Sequence, residues 1–337
     1  MNRQIELQHS TFLVTGGAGF IGSNITEFLL GQGCFVRVLD NLSTGKRENL
    51  ELFFENQCFE FMEGDIRDLS TCQSACSGVD YVLHQGALGS VMRSVADPVT
   101  TNEVNINGTL NLLTAARDHH VKQFVYASSS SVYGDEKNLP KREDRVGNPL
   151  SPYAVTKKAN ELYAKNFYDL YGLKTVGLRY FNVFGKRQDP NSDYAAVIPA
   201  FIRNILAGRP CVIHGDGEQS RDFTYIDNVV QANIKACLAG EKAWGAAVNI
   251  ACGEQITICR LYSKLCELLG RDTGFAFSPS RSGDVRHSHA DISRASELLG
   301  YQPEVGFERG LEWTVDWYVS QMKVRIPAAN TCVQDAV

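Results

Sequence analysis

Tyr153 and Lys157 stand four residues apart in S-P-Y-A-V-T-K, downstream of four consecutive serines, Ser128 to Ser131. The S-P-Y start predicts a helix, and residues four apart on a helix share one face. A lysine ammonium beside a phenol favours the phenolate and lowers its pKa. Tyr153 is therefore a candidate base near neutral pH. A hydroxyl from the preceding strand end, one of Ser128 to Ser131, can hold the substrate oxygen whose proton the tyrosine takes. The constellation suits oxidation of a carbinol. Y-x-x-x-K alone recurs by chance on amphipathic helices, so this chemistry requires a nucleotide site elsewhere in the chain.

That site is legible at the start. The apolar run Thr11 to Thr15 leads into G-G-A-G-F-I-G and then a helical pattern through Leu30, the strand, glycine turn and helix of a dinucleotide site. Gly16 permits the tight turn, Gly19 lets the backbone approach pyrophosphate, and Gly22 allows the helix to pack closely on the strand. Phe20 and Ile21 fall inside the same turn. A second strand, Phe35 to Leu39, ends in Asp40, where a carboxylate meets the adenosine ribose hydroxyls, about 20 residues past the glycines. Asp40 favours NAD, because it repels a 2′-phosphate, and the loop opening with Asn41 places no arginine immediately after it. Gly64-Asp65-Ile66 closes a third strand, Phe59 to Met62, where Asp65 and Ile66 can contact adenine. The strand Tyr81 to His84 ends in H-Q-G-A-L-G-S, where Gln85 opens a run of small residues that admits cofactor phosphates. His84 reads as a packed, hydrogen-bonded histidine rather than a ligand.

Further on, Thr100 to His119 predicts one amphipathic helix, Val121 to Ala127 a strand, and Pro152 to Tyr171 the Tyr153 helix. Thr175 to Leu178 predicts a sixth strand, with Arg179 to Gly185 as a loop. The alternation implies an α/β, Rossmann-like, doubly wound parallel sheet with ligands at the carboxyl ends of the strands. Beyond it, helices are expected over 195–207 and 257–269 and a short strand over 211–214. Val248 to Ile250 is expected to rejoin the first sheet. The division expected is an NAD-binding domain over 1–180 with about 223–250, a smaller interleaved substrate domain over 181–222 and 251–322, and a frayed tail over 323–337.

The 337 residues are 44% hydrophobic and 21% charged, with a formal net charge of −5. That is a globular composition without the positive field that nucleic acid or an acidic membrane demands. Ten cysteines lack C-x-x-C spacing or paired histidines, which suggests reduced intracellular thiols and no metal site. The polar start and the lack of a long apolar run point to the cytosol.

With the glycine turn, Asp40, the serines and Tyr153/Lys157 in order, the chain resembles the extended short-chain dehydrogenase/reductase family over residues 10 to 322. R-Y-F-N-V-F-G, S-R-D-F-T-Y-I-D-N and R-S-G-D-V-R-H-S resemble its UDP-N-acetylhexosamine 4-epimerases. The resemblance implies that Tyr153 is the base and that Lys157 binds the nicotinamide ribose. It makes Ser129 the catalytic hydroxyl and lets Ser130 share that contact. It assigns Asn105 to the cofactor side, Asn182 to the sugar diphosphate, and Arg221 and Arg281 to a clamp on the diphosphate, a task suited to a planar fork of donors. The implied reaction removes hydride from sugar C4 to NAD, turns the 4-keto sugar over, and returns the hydride to the other face.

Related 4,6-dehydratases carry an Asp-Glu pair just after the catalytic hydroxyl, and decarboxylating uronate enzymes a glutamate. Ser130 and Ser131 stand there, leaving elimination without a proton shuttle. A non-catalytic NAD sensor would be free to lose Tyr153, Lys157 or the serine, and all are kept. Ser288 matches a position beside the sugar C2 substituent. Its small side chain implies UDP-GlcNAc/UDP-GalNAc interconversion, with UDP-glucose and UDP-galactose tolerated less well. Since S-S-S-S-V-Y-G also resembles UDP-glucuronate 4-epimerases, a UDP-uronate is the principal alternative. The family forms homodimers through two helices, represented here by Leu110, Leu113, Leu162 and Phe167, all of which a monomer core can equally bury.

Overall fold

The structure, a computed structural model, describes residues 7–192, 195–279 and 285–325. Strands and helices alternate through β1 (Thr11–Thr15), α1 (Phe20–Gly31), β2 (Phe35–Asp40), β3 (Phe59–Glu63), α2 (Leu69–Cys76) and β4 (Tyr81–His84). After α3 (Val91–Ala96) and α4 (Pro98–Asn102), a π turn over Glu103–Asn107 leads into α5 (Gly108–Asp118). Next come β5 (Gln123–Ser129), α6 (Pro152–Tyr171) and β6 (Thr175–Tyr180). Short strands then mix with helices: β7 (Val183–Phe184), α7 (Val197–Leu206), β8 (Cys211–His214), β9 (Ser220–Arg221), β10 (Thr224–Tyr225) and α8 (Ile226–Cys237). The chain closes with β11 (Ala246–Ile250), β12 (Ile256–Thr257), α9 (Ile258–Leu269), β13 (Phe275–Ser278), α10 (Ser293–Leu299) and α11 (Phe307–Arg325).

Seven strands form one sheet in the order β11-β6-β5-β4-β1-β2-β3, and every pairing in it is parallel. A parallel sheet is covered on both faces, so its strands carry apolar residues at successive positions. Phe12 and Val14 pack with α1 and α8 on one face, while Leu13 packs with α2, α5 and α6 on the other. β11 joins beyond β6, as expected of Val248 to Ile250. The strand order reverses between β1 and β4, which opens a crevice at their carboxyl ends. Among the described residues, no helix is long and apolar enough to cross a membrane.

The departures from expectation that bear on the site involve long-range contacts. The expected helix Thr100 to His119 is helical from Pro98 but interrupted by the π turn, where Asn105 turns inward. β5 extends through Ser129 and β6 through Tyr180, because Ser128 pairs with Arg179 and Ser129 with Tyr180 in the ladder. Arg179, expected in a loop, is thus a buried strand residue paired with Glu161. His84 behaves as expected, held between the hydroxyls of Thr15 (2.6 Å) and Thr109 (2.9 Å), and burial drives its pKa down to about 3. Leu113 and Phe167 belong to the core, whereas Leu162 is exposed. The tail expected over 323–337 is helical where it begins, since α11 runs through Arg325, and otherwise lies outside the described residues.

The glycine turn brings helix and backbone into close approach. A Cβ on Gly22 would stand 2.3 Å from the Gly16 carbonyl oxygen, so α1 lies against the turn only because no side chain intervenes. Gly22→Ala is expected to cost about 1–3 kcal/mol through overpacking, read as a lower midpoint in chemical denaturation.

Candidate active site

A cavity of about 350 Å³ follows the crevice between β1 and β4. Gly16, Gly19, Phe20, Ile21 and Gly22 line its floor. Gly16 adopts φ +66°, and a Cβ there would come within 2.7 Å of the Gly86 backbone. Gly19 caps α1 and offers no side-chain cap, so the first-turn N–H groups face whatever occupies the floor. Such a helix end favours a pyrophosphate. At the far wall, Asp40 accepts hydrogen bonds from the backbone N–H groups of Ala18 (3.0 Å) and Leu42 (2.8 Å). Burial raises its pKa and these two bonds oppose the rise.

Asn41 donates to Asp65 (2.9 Å). Arg67 grips the Asp65 carboxylate, chiefly by hydrogen bonding, and the Asp65 pKa falls to about 2. Ile66 packs under Gly108, and all three of Asn41, Asp65 and Ile66 line the cavity. Gln85 also lines it, although its side chain donates to Asn233 (3.1 Å) and accepts from Tyr180 (3.2 Å). Asn105 stands behind the wall: it accepts from the Leu88 N–H (2.8 Å) and donates to Thr156 on α6 (3.1 Å). It acts as a strut between the loop after β4 and the Tyr153 helix. Lys46 and Arg187, which the sequence reading missed, join this cavity. Lys46 pairs with Asp189 at 3.0 Å and Arg187 with Glu27 at 2.9 Å. Their signal was a lysine after the Ser43-Thr44-Gly45 turn and an arginine just past R-Y-F-N-V-F-G.

The candidate reactive groups lie where the end of β5 meets the start of α6. Ser151 caps α6 by accepting from the Ala154 N–H (3.2 Å), with Pro152 in the first turn. Tyr153 follows directly, hydrogen-bonded to Ser129. Burial pushes its phenol upward, and the Ser129 bond pulls the other way. The expected lowering by Lys157 is not what the geometry gives. Lys157 Nζ lies 5.9 Å from the Tyr153 ring centroid and donates to the Ala127 carbonyl at 2.8 Å, while burial lowers its own pKa to about 8. The four open serine candidates also separate. Ser128 donates to Glu161 (2.7 Å), Ser129 meets Tyr153, Ser130 starts a short 3₁₀ turn, and the buried Ser131 hydroxyl has no partner.

A second cavity of about 620 Å³ adjoins the β7 and β9 strands. Asn182 and Arg221 line it, together with Ser90 from the loop after β4, Met92 from α3, and Phe201 and Gln219, which the sequence reading did not single out. Asn182 adopts φ +33° and donates to the Asp222 carbonyl (3.2 Å). Arg221 donates to the carbonyls of Ser220 (3.0 Å) and Arg286 (3.2 Å). Ser288 donates its N–H to the Ser220 carbonyl (3.0 Å), one residue from Arg221, and lines neither cavity. Arg281 lies outside the described residues. Asp222 was also missed: its buried carboxylate gathers the N–H groups of Cys252, Gly253 and Ala290 and is pushed up to about 6 by burial.

Ser129, Tyr153 and Lys157 line neither cavity, while the Leu88 to Val91 stretch passes from the first cavity to the second, and two such neighbouring spaces suit a dinucleotide and an anionic carbinol substrate. Asp40→Ala removes both the carboxylate and its two backbone bonds. The expected result is at least a tenfold loss of NAD retained through purification, measured in the denatured supernatant, with the circular dichroism of the fold preserved.

Residues 12–251 match the NAD dependent epimerase/dehydratase family. A UDP-glucose 4-epimerase of Mycolicibacterium smegmatis is 39% identical over 308 residues, covering 91% of this chain and 97% of its own. Among solved structures, a UDP-N-acetylglucosamine 4-epimerase of Methanobrevibacter ruminantium, in complex with UDP-N-acetylmuramic acid, superimposes with a TM-score of 0.89. It is 42% identical and covers 94% of this chain and 100% of its own. A UDP-glucuronic acid 4-epimerase of Bacillus cereus, with UDP-glucuronic acid and NAD, gives 0.84 at 35% identity, covering 93% and 99%. With the glycine floor and Asp40 in the cavity between β1 and β4, and with Ser129, Tyr153 and Lys157 gathered at the end of β5, the chain belongs to the NAD dependent epimerase/dehydratase family, enzymes that work with NAD.

Proposed function

We propose that the chain is a 4-epimerase of UDP-sugars whose favoured pair is UDP-GlcNAc and UDP-GalNAc. The observation that carries this reading is the Ser129-Tyr153-Lys157 group at the strand ends, followed by Ser130 and Ser131 rather than carboxylates. A base that exchanges a proton with one hydroxyl, with no second acid beside it, suits a reaction whose start and end differ at one carbinol.

In this reading Gly16, Gly19, Phe20, Ile21 and Gly22 hold the NAD pyrophosphate, Asp40 and Asn41 the adenosine ribose, Asp65 and Ile66 the adenine, and Lys157 the nicotinamide ribose. Bound NAD supplies a reversible hydride acceptor for sugar C4. Tyr153 takes the C4 hydroxyl proton and later returns it, while Ser129 holds the oxygen in place, assisted by Ser130. Burial by itself keeps the phenol protonated, so the Ser129 hydrogen bond is the contact in this site that favours the phenolate. Asn182, Arg221 and Arg281 anchor the diphosphate, which leaves the hexose free to turn over. Residues 181–222 and 251–322 then form the sugar-nucleotide domain against an NAD domain of 1–180 and about 223–250. Exposed Val99, Val155, Leu162 and Leu170 on α4 and α6 support a homodimer through these helices.

The N-acetyl preference rests on the small side chain of Ser288 and on 42% identity to the M. ruminantium enzyme. A UDP-uronate is the second reading, favoured by the B. cereus relative at 35% identity. The purified protein, given no added oxidant, is incubated in parallel with UDP-GlcNAc, UDP-GlcNAc uronate, UDP-glucuronate and UDP-glucose, and the C4 epimers are separated. UDP-GlcNAc is expected to turn over fastest, with Tyr153→Phe slower by at least about a hundredfold and its NAD retained. Uronate-led turnover moves the substrate, and full activity of Tyr153→Phe removes the assigned base.

A further inference from the structure

Glu161 is a buried carboxylate that the proposed chemistry leaves unused. It follows Tyr153 and Lys157 at successive four-residue steps, so the three side chains run as one stripe along α6. Each reaches a different point on the end of β5. Tyr153 meets the Ser129 hydroxyl, Lys157 meets the Ala127 carbonyl at 2.8 Å, and Glu161 accepts from Ser128 at 2.7 Å.

The third anchor is charged on both sides. Arg179, opposite Ser128 in the β5–β6 ladder, grips Glu161 with two hydrogen bonds, Nε to Oε1 at 2.8 Å and Nη2 to Oε2 at 2.9 Å. The side chains are only 5% and 7% exposed. Arg179 also donates to Tyr133 (3.0 Å), whose hydroxyl donates to Asn249 on β11 (2.6 Å). A buried ion pair contributes little stability beyond what packed apolar groups of the same volume would give, and its better-attested use is to fix one register. A planar fork on a carboxylate defines both distance and direction.

We propose that the Glu161–Arg179 pair, acting through Ser128, is a positioning device that sets the end of β5 against α6 so that the Ser129 hydroxyl reaches Tyr153. It touches neither proposed ligand space and is not itself catalytic. The inference rests on Tyr153 being the base. Loosening the pair shifts the hydroxyl that holds the reacting oxygen, while the contacts assigned to diphosphate and pyrophosphate stay where they are. The loss therefore falls on kcat and not on KM. Because the Ser129 bond opposes the upward shift of the Tyr153 phenol, weakening it moves the rise of kcat toward higher pH.

Two variants test this. Arg179→Lys keeps the positive charge but loses the fork; Ser128→Ala keeps the ion pair and removes only its link to the strand. Both are expected to lower kcat by about tenfold to a hundredfold, the scale of small misplacements at a reacting centre. KM and retained NAD should stay within about twofold, with the pH profile displaced upward. An unchanged kcat and pH profile in Ser128→Ala overturns the proposal, whatever happens to its melting temperature, and this variant decides the matter if Arg179→Lys does not fold. Tyr153→Phe, run alongside, separates the two ideas: if it is inactive while Ser128→Ala is unimpaired, only the positioning role fails, whereas activity in Tyr153→Phe removes the base on which the inference rests.

Discussion

A lysine ammonium buried in a protein must find an acceptor, and here the carbonyl of Ala127 at the end of β5 provides it. That single bond, together with the Glu161 and Tyr153 contacts on either side, ties α6 to the sheet where β5 stops. The rest of the site follows from it. The helix that carries Tyr153 is held by the strand that carries Ser129, and β6 supplies Arg179, which grips Glu161 on the same helix. Burial is the cost of this arrangement: it lowers the Lys157 pKa to about 8 and raises the Tyr153 phenol. The Ser129 hydroxyl opposes the second effect, which makes the strand end an electrostatic partner of the tyrosine as well as a scaffold.

The parallel sheet separates two tasks. Its β1–β2 side offers glycine backbone, an uncapped helix end and a buried carboxylate, groups suited to a dinucleotide. Its β6 side opens onto short strands and loops, where Asn182 and Arg221 face a larger space. Asp222 joins three segments of that region through backbone N–H groups, bringing the 288–291 stretch close to Arg221. An enzyme that must hold a nucleotide firmly and let a sugar turn over needs this asymmetry, since strong contacts to the hexose would oppose its rotation.

Much of the dinucleotide half was legible because its rules are local. A glycine turn between strand and helix, and a carboxylate at the end of the next strand, are specified within about 30 residues. His84 was read correctly as packed, since a strand-end histidine beside small residues has little else to do. What the sequence concealed depends on partners far along the chain. Arg179 reads as a loop residue until Glu161, 18 positions earlier, is seen to neutralise it. Asn105, which the resemblance puts on the cofactor side, is aimed by the π turn at Leu88 and Thr156, a link between distant segments that the sequence does not show. The i,i+4 spacing correctly placed Tyr153 and Lys157 on one face, but it could not show that the ammonium is drawn to a carbonyl instead of the phenol. Lys46, Arg187 and Asp222 were missed for the same reason: each matters through where the chain folds back on it.

The reaction proposed is a redox-neutral inversion in which hydride leaves C4 and returns to C4 of the same sugar. The donor that the protein turns over fastest, labelled with deuterium at C4, tests it in unlabelled water with no added cofactor. The epimer formed is expected to keep its deuterium at C4. Loss of the label to solvent, or its appearance at another carbon of the product, would contradict it.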